Sequence, residues 1–177
     1  MPLLSRRQLL QAGLALPAVP TLALAAQADA AAPLRQGGVV IAFRHAMAPG
    51  TFDPPGFKPG ECSTQRNLSD EGRAQARRIG AWFKTQALVP AQVRSSPWCR
   101  CMDTATLAFG TAAAWPALGS PRGASESTNA ESLGALRSAL AAVPAGRFEV
   151  WVAHMCGLSD FAATHTSSGE GLVLRVA

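Results

Sequence analysis

The stretch Val39-Val40-Ile41-Ala42-Phe43-Arg44-His45-Ala46 decides how this chain is read. Its first five residues are apolar, three of them β-branched, and they follow Gly37-Gly38. A run so short and so apolar predicts a strand buried on both faces, as in a parallel sheet covered by helices on each side. Arg44 and His45 then stand together where the strand gives out. In open α/β sheets the ligand crevice lies outside the carboxyl ends of the strands, so these two side chains fall where chemistry is placed. An unpaired buried cation is costly, which makes the pair an awkward structural filler. It is a good tool, however: a guanidinium fork grips phosphate oxygens, and a neutral imidazole nitrogen can attack phosphorus.

The remainder of the chain suits that frame. Its 177 residues fit one domain with a single core. With 48% hydrophobic and 15% charged residues, the composition excludes a disordered chain. The net charge is +5, but Lys58 and Lys84 are the only lysines among the sixteen basic residues, and the arginines are scattered. A nucleic-acid binder clusters its basic residues, so we expect arginine used locally on anions and no nucleic-acid partner.

The first thirty residues read as a targeting segment. Ser5-Arg6-Arg7-Gln8-Leu9-Leu10 resembles the twin-arginine export signal, an apolar run follows from Ala12 to Ala26, and Ala26-Gln27-Ala28 and Ala28-Asp29-Ala30 fit an A-x-A cleavage rule. Pro17 and Pro20 interrupt the run, whereas a permanent span needs ~20 continuous apolar residues. The expectation is a cleaved signal over residues 1–30 and a working domain over 31–177, placed in the periplasm or outside the cell with no stable membrane anchor.

From Ala46 to Gly60 the density of Pro and Gly forbids a regular element. A loop this long in a compact domain is usually functional or mobile, and this one starts at the Arg-His pair. It is expected to wall the pocket, with its own Asp53 and Lys58 solvated. Gln65-Arg66-Asn67 follow; as a donor cluster they are candidates to bind an anionic substrate, with a turn-forming role for Asn67 the other reading. Ser69 is a natural N-cap, with Asp70 and Glu71 in the first turn. Gly72, Ala76, Ile79 and Phe83 form the apolar stripe of the ensuing helix, leaving Arg77 and Arg78 in solvent.

Gln92-Val93-Arg94-Ser95-Ser96 predicts a second short strand. Ser96 and Pro97 would then open another helix as N-cap and N1, placing Arg100 in a first turn whose free N–H groups already attract anions. Pairing with Asp103 is the alternative for Arg100. Met102, Ala105 and Phe109 are core by spacing. An alanine- and leucine-rich helix is expected over Ala130–Val143. Glu149-Val150-Trp151-Val152-Ala153-His154 repeats the first layout, a buried strand with a histidine at its end. A short helix over Gly157–Thr164 and a last strand over Gly171–Val176 complete the chain. His165 is read as a surface residue. Alternation of strands and helices predicts a three-layer α/β/α sandwich with a mostly parallel central sheet.

Three separated motifs resemble the histidine phosphatase superfamily, in the branch containing phosphoglycerate mutases and small bacterial phosphatases. They are Arg44-His45-Ala46; Asn67-Leu68-Ser69 with Gly72 and Gln75-Ala76; and Ser95-Ser96-Pro97-Trp98-Cys99-Arg100 with Thr104-Ala105. The later strand-end His154 completes the pattern, which covers roughly residues 38–177. The resemblance implies the phosphoglycerate mutase-like fold and a phosphomonoesterase of the histidine acid phosphatase type. His45 would carry the phosphoryl group, while Arg44, Arg100 and His154 hold the phosphate oxygens. Gln65, Arg66 and Asn67 would line the same pocket. It implies no cofactor and no metal. Its periplasmic members suggest a small-molecule or glycan phosphomonoester as substrate, such as an envelope sugar phosphate. Glu126, Glu131, Asp160 and Glu170 are candidates for protonating the leaving oxygen, with no motif to choose among them. The alternative is a noncatalytic phosphate- or metal-binding protein on the same scaffold.

The four cysteines bear on that alternative. Cys99 and Cys101 point in different directions at a helix start, so a bridge between them is not expected. Cys62 with Cys99 or Cys101 would tie the loop to the helix, as export permits. A zinc site lacks its usual C-x₂-C spacing, and Cys156 beside His154 would conflict with a phosphate role.

Overall fold

The computed structural model of the chain describes residues 31–119 and 126–176. The signal expected over residues 1–30 lies outside them. No helix among the described residues is long and apolar enough to cross a membrane.

Five strands form one sheet: β1 (Val39–Arg44), β2 (Gln92–Ser95), β3 (Ala113–Ala114), β4 (Phe148–Ala153) and β5 (Gly171–Leu174). Their order across the sheet is β3-β2-β4-β1-β5. The first four run parallel, and β5 closes the edge antiparallel to β1. Strand side chains alternate between faces, and here both faces are buried. Val39, Ile41 and Phe43 of β1 join Phe148, Val150 and Val152 of β4 on one side, whereas Val40, Ala42, Trp151 and Ala153 enter the core on the other. The first core is covered by α1 (Asp70–Thr85) and α2 (Cys99–Phe109), the second by α3 (Glu126–Ala141), with Leu158 of α4 (Met155–Ala162) packed beside it. This is the three-layer sandwich the alternation predicts.

Local chemistry explains where α1 sits. Ser69 caps it by accepting from the Gly72 N–H at 3.1 Å. Gly72 and Gly80 are required by close approach: a Cβ at Gly72 would strike the Met47 carbonyl, and one at Gly80 the Ala108 carbonyl of α2. Arg77 and Arg78 are exposed, as expected. The start of α2 differs from expectation. Trp98, not Ser96, is its N-cap, and it makes no side-chain cap bond, because the Ser96 hydroxyl is engaged with His154. Asp103 pairs with Arg73 at 3.2 Å rather than with Arg100. Met102 is half-buried, while Cys101 takes a fully buried place on that helix. Trp115 leads into a short 3-10 turn over Pro116–Leu118.

Cys62 and Cys99 are joined by a disulfide, which ties the segment after the Pro/Gly-rich loop to the first residue of α2. Two thiols so bonded cannot also serve as thiolate ligands to zinc.

Candidate active site

The sheet order sets β2, β4 and β1 side by side, so their carboxyl ends deliver Ser96, His154 and His45 to one edge. The pairing continues past the strands: the His45 N–H donates to the Ala153 carbonyl at 2.9 Å, and the Ser96 N–H to Val152 at 2.8 Å. The two imidazoles meet edge to face with centroids 5.6 Å apart. They open on a cavity of about 390 Å³, lined among others by Arg44, Asp53, Arg66 and Arg100. A larger cleft of about 800 Å³ lies between α1, α2 and β3, but Lys84 is the one ionisable side chain on its walls, and it gathers no catalytic group.

The state of His45 follows from its partners. Nδ1 lies 2.8 Å from the Ala46 carbonyl, which can only accept, so Nδ1 carries the hydrogen and Nε2 is left with its lone pair. Burial, then repulsion from Arg100, Arg66 and Arg44, brings His45 down to about 4, the bond to Ala46 working the other way. The imidazole is therefore neutral near pH 7. His154 is likewise held well below the ordinary imidazole value, first by burial and then by Arg100 and His45. Its Nδ1 faces Arg100 Nη2 at 3.3 Å and its Nε2 faces Ser96 Oγ at 2.9 Å. A guanidinium only donates, so Nδ1 accepts and Nε2–H donates to the serine.

The arginines are crowded beyond what their partners neutralise. Arg100 is 4% exposed and binds Asp53 Oδ1 through Nη1 at 2.8 Å. Arg66 Nη1 donates to the carbonyls of Ala48 and Gly50 at 2.6 and 3.2 Å, and Arg44 Nη1 to that of Thr166 at 2.8 Å. All three line the cavity, and each retains a buried Nε–H with no partner. Burial, then the charge of Arg100, presses Arg66 below its ordinary value. Unmet buried donors cost about 1–3 kcal/mol each, more for charged groups. Three guanidiniums against one carboxylate leave a positive surplus that an oxyanion would relieve.

The family model of the histidine phosphatase superfamily, branch 1, matches residues 60–117. Over that stretch the chain is similar to the histidine phosphatase superfamily. That match spans Gln65 to Arg100, whereas Arg44, His45 and His154 lie outside it and are placed by the fold. No curated protein matches the sequence. Among solved structures, a mycobacterial glucosyl-3-phosphoglycerate phosphatase, Rv2419c, complexed with VO3, superposes with a TM-score of 0.58 at 14% identity, covering 76% of this chain and 91% of that one. The protein histidine phosphatase SixA complexed with tungstate gives 0.52 at 17%, over 76% and 86% of the two chains. A putative phosphohistidine phosphatase SixA from Agrobacterium tumefaciens gives 0.52 at 22%, over 77% and 91%. At such identities the likeness is one of fold.

Within this fold, Arg44, His45, Arg66, Arg100 and His154 all line the one cavity. Two expected substrate contacts do not. Gln65 is buried between loop and helix, donating to the Lys58 carbonyl at 3.0 Å and accepting from the Cys99 N–H at 3.0 Å. Asn67 donates to the carbonyls of Cys62 and Gln65 at 2.7 and 3.1 Å, the turn-forming role. Both therefore hold the segment that carries Arg66 instead of facing the cavity. Asp53, expected in solvent, is the larger correction: it sits on Arg100 and lines the cavity. Lys58 is exposed as expected and pairs with Glu61 at 3.4 Å. Glu131, Asp160 and Glu170 lie away from the cavity, and the side chain of Glu126 is outside the described residues. His165 is exposed, 3.4 Å from Ser159 Oγ.

Sequence reasoning also missed Ser96 as the partner of His154, and Phe57 and Trp98 as an aromatic wall with centroids 6.0 Å apart. No local signal marks these. Asp53 alone had one, its place in a long loop that begins at the Arg-His pair.

Proposed function

We propose that this chain is an exported phosphomonoesterase working through a phosphohistidine on His45. The observation that carries the reading is the tautomer of His45: a buried, neutral ring whose Nδ1–H is held by Ala46 and whose Nε2 keeps its lone pair, beside three guanidiniums with unmet donors. Nε2 attacks phosphorus as the bond to the leaving alcohol breaks, so one difficult displacement becomes two easier ones. Arg44, Arg66 and Arg100 hold the equatorial oxygens, and each such contact is worth about 10²–10³ in rate where it is aimed at developing charge. Water then attacks the phosphoryl group, the P–N bond breaks, and His45 returns neutral. His154, with both ring nitrogens engaged, holds Arg100 and Ser96 in place around the site.

Export is supported by the twin-arginine-like leader and by the Cys62–Cys99 disulfide, a bond that persists in oxidising compartments. An envelope sugar phosphate as substrate is supported by the rings of Phe57 and Trp98 beside the cavity, which suit the apolar face of a sugar. Release of phosphate from an aryl phosphate tests the core of the reading. The folded parent should turn over and yield an acid-labile phosphohistidine, and His45→Ala should lose at least about 10³-fold. A folded parent that binds phosphate but cleaves none of several phosphomonoesters would make the chain a noncatalytic binder.

A further inference from the structure

The leaving alcohol needs a proton, and His45 cannot supply it, because its one hydrogen is committed to Ala46 at 2.8 Å. His154 Nε2–H is committed to Ser96. A guanidinium is not a proton donor to an alkoxide in a protein. Among the described residues, Asp53 is the one carboxyl group on the cavity wall. Its two oxygens are in different situations. Oδ1 is anchored twice, by Arg100 Nη1 at 2.8 Å and by the Arg66 N–H at 3.0 Å. Oδ2 takes no hydrogen bond from any described residue, and the side chain keeps 13% of its surface open. One oxygen is thus fixed in direction while the other is free to exchange a proton. Arg100 spans the two halves of the site, bonding Asp53 through Nη1 and His154 through Nη2, and the His154 ring abuts that of His45. The wall that brings Asp53 there is the loop with Gly50, Thr51, Phe52 and Phe57, also cavity residues.

We infer that Asp53 is the general acid and base of this site, an inference that rests on the phosphohistidine reading above. The proton enters with the substrate. A phosphomonoester has its second ionisation near pH 6, and its monoanion carries one P–OH hydrogen. Oδ2 accepts that hydrogen and passes it to the leaving oxygen as Nε2 of His45 bonds to phosphorus and the P–O bond breaks. In the second half, Oδ2 takes a proton from the attacking water as the P–N bond breaks, then returns it to the departing phosphate. Substrate monoanion and water go in, alcohol and dihydrogen phosphate come out, and both residues are restored.

General acid help matters in proportion to how poor the leaving group is, which separates this role from a structural one. Asp53→Asn keeps an oxygen for Arg100 and for the Arg66 N–H but cannot shuttle a proton. The full-length protein is assayed with p-nitrophenyl phosphate and with an alkyl phosphate such as glycerol phosphate. Asp53→Asn should lose roughly 10²-fold or more in kcat/KM with the alkyl ester and less than tenfold with the aryl ester. Asp53→Glu should recover part of the alkyl activity. Equal losses on both esters, in a variant whose melting point still rises with phosphate, would overturn the assignment and leave Asp53 as a counter-charge for Arg100. If Asp53→Asn does not fold, Asp53→Glu decides alone: a changed ratio of alkyl to aryl rates supports the role, and an unchanged ratio overturns it. Failure of the parent with both esters would instead strike the phosphohistidine reading.

Discussion

His45 reaches its working state by being buried. A solvated imidazole takes up a proton near 6.5, whereas burial and then the charges of Arg100, Arg66 and Arg44 hold this one down to about 4. Between those values the unfolded chain binds a proton that the folded chain does not, so stability rises with pH across the interval and is lost as pH falls from 6.5 through about 4. His154, lowered well below its ordinary value by burial and by Arg100, acts in the same direction. The melting temperature should therefore decline steadily on acidification below pH 6.5. Turnover of an aryl phosphate should persist at pH 5 and fail only near pH 4, where Nε2 acquires a proton. A folded chain that already loses half its activity at pH 6.5 would contradict this account of His45.

Among the elements, the long loop between β1 and α1 has little regular structure of its own, one 3-10 turn over Cys62–Thr64. It carries Asp53 and leads to Arg66, yet the Pro and Gly content of Ala46–Gly60 forbids helix or strand there. Three ties hold it. The disulfide joins Cys62 to Cys99 across 37 positions of sequence, Gln65 bridges Lys58 to Cys99, and Asp53 meets Arg100. Closing a loop of that length in the unfolded chain stabilises the fold by about 4 kcal/mol in the chain-entropy account. The Cys62→Ser/Cys99→Ser double variant should lose roughly that much in urea denaturation. Its KM for an aryl phosphate should rise with it, because the wall that carries Asp53 and Arg66 is no longer pinned to the first residue of α2. An unchanged urea midpoint would mean that the other two ties suffice.

At the scale of the whole molecule, the cavity is a point of stored electrostatic tension that an anion relieves. Three guanidiniums face one carboxylate there, and ligand that binds only the folded state stabilises it by mass action. Phosphate or tungstate at a hundred times its Kd should add about 2.7 kcal/mol, or roughly 5–10 °C in melting temperature for a domain of this size. Arg100→Ala, which also strands Asp53 without its partner, should abolish the shift. A shift that survives in that variant would place the anion elsewhere. How much of this was readable beforehand depends on the kind of residue. Val39–Phe43 and Glu149–Ala153 announce buried strands, because apolar runs report local burial directly, and that alone sets His45 and His154 at strand ends. Arg100 was legible through its motif. By itself, then, the sequence determined the layered α/β architecture, the two histidines and the arginine beside them. Only the tertiary structure decided that Asp53 comes in from solvent onto Arg100, that Gln65 and Asn67 turn away from the cavity, and that Ser96 serves His154 instead of capping a helix. The reason is physical: periodicity records which face of an element is buried, whereas the path of an irregular loop is set by bonds between residues dozens of positions apart.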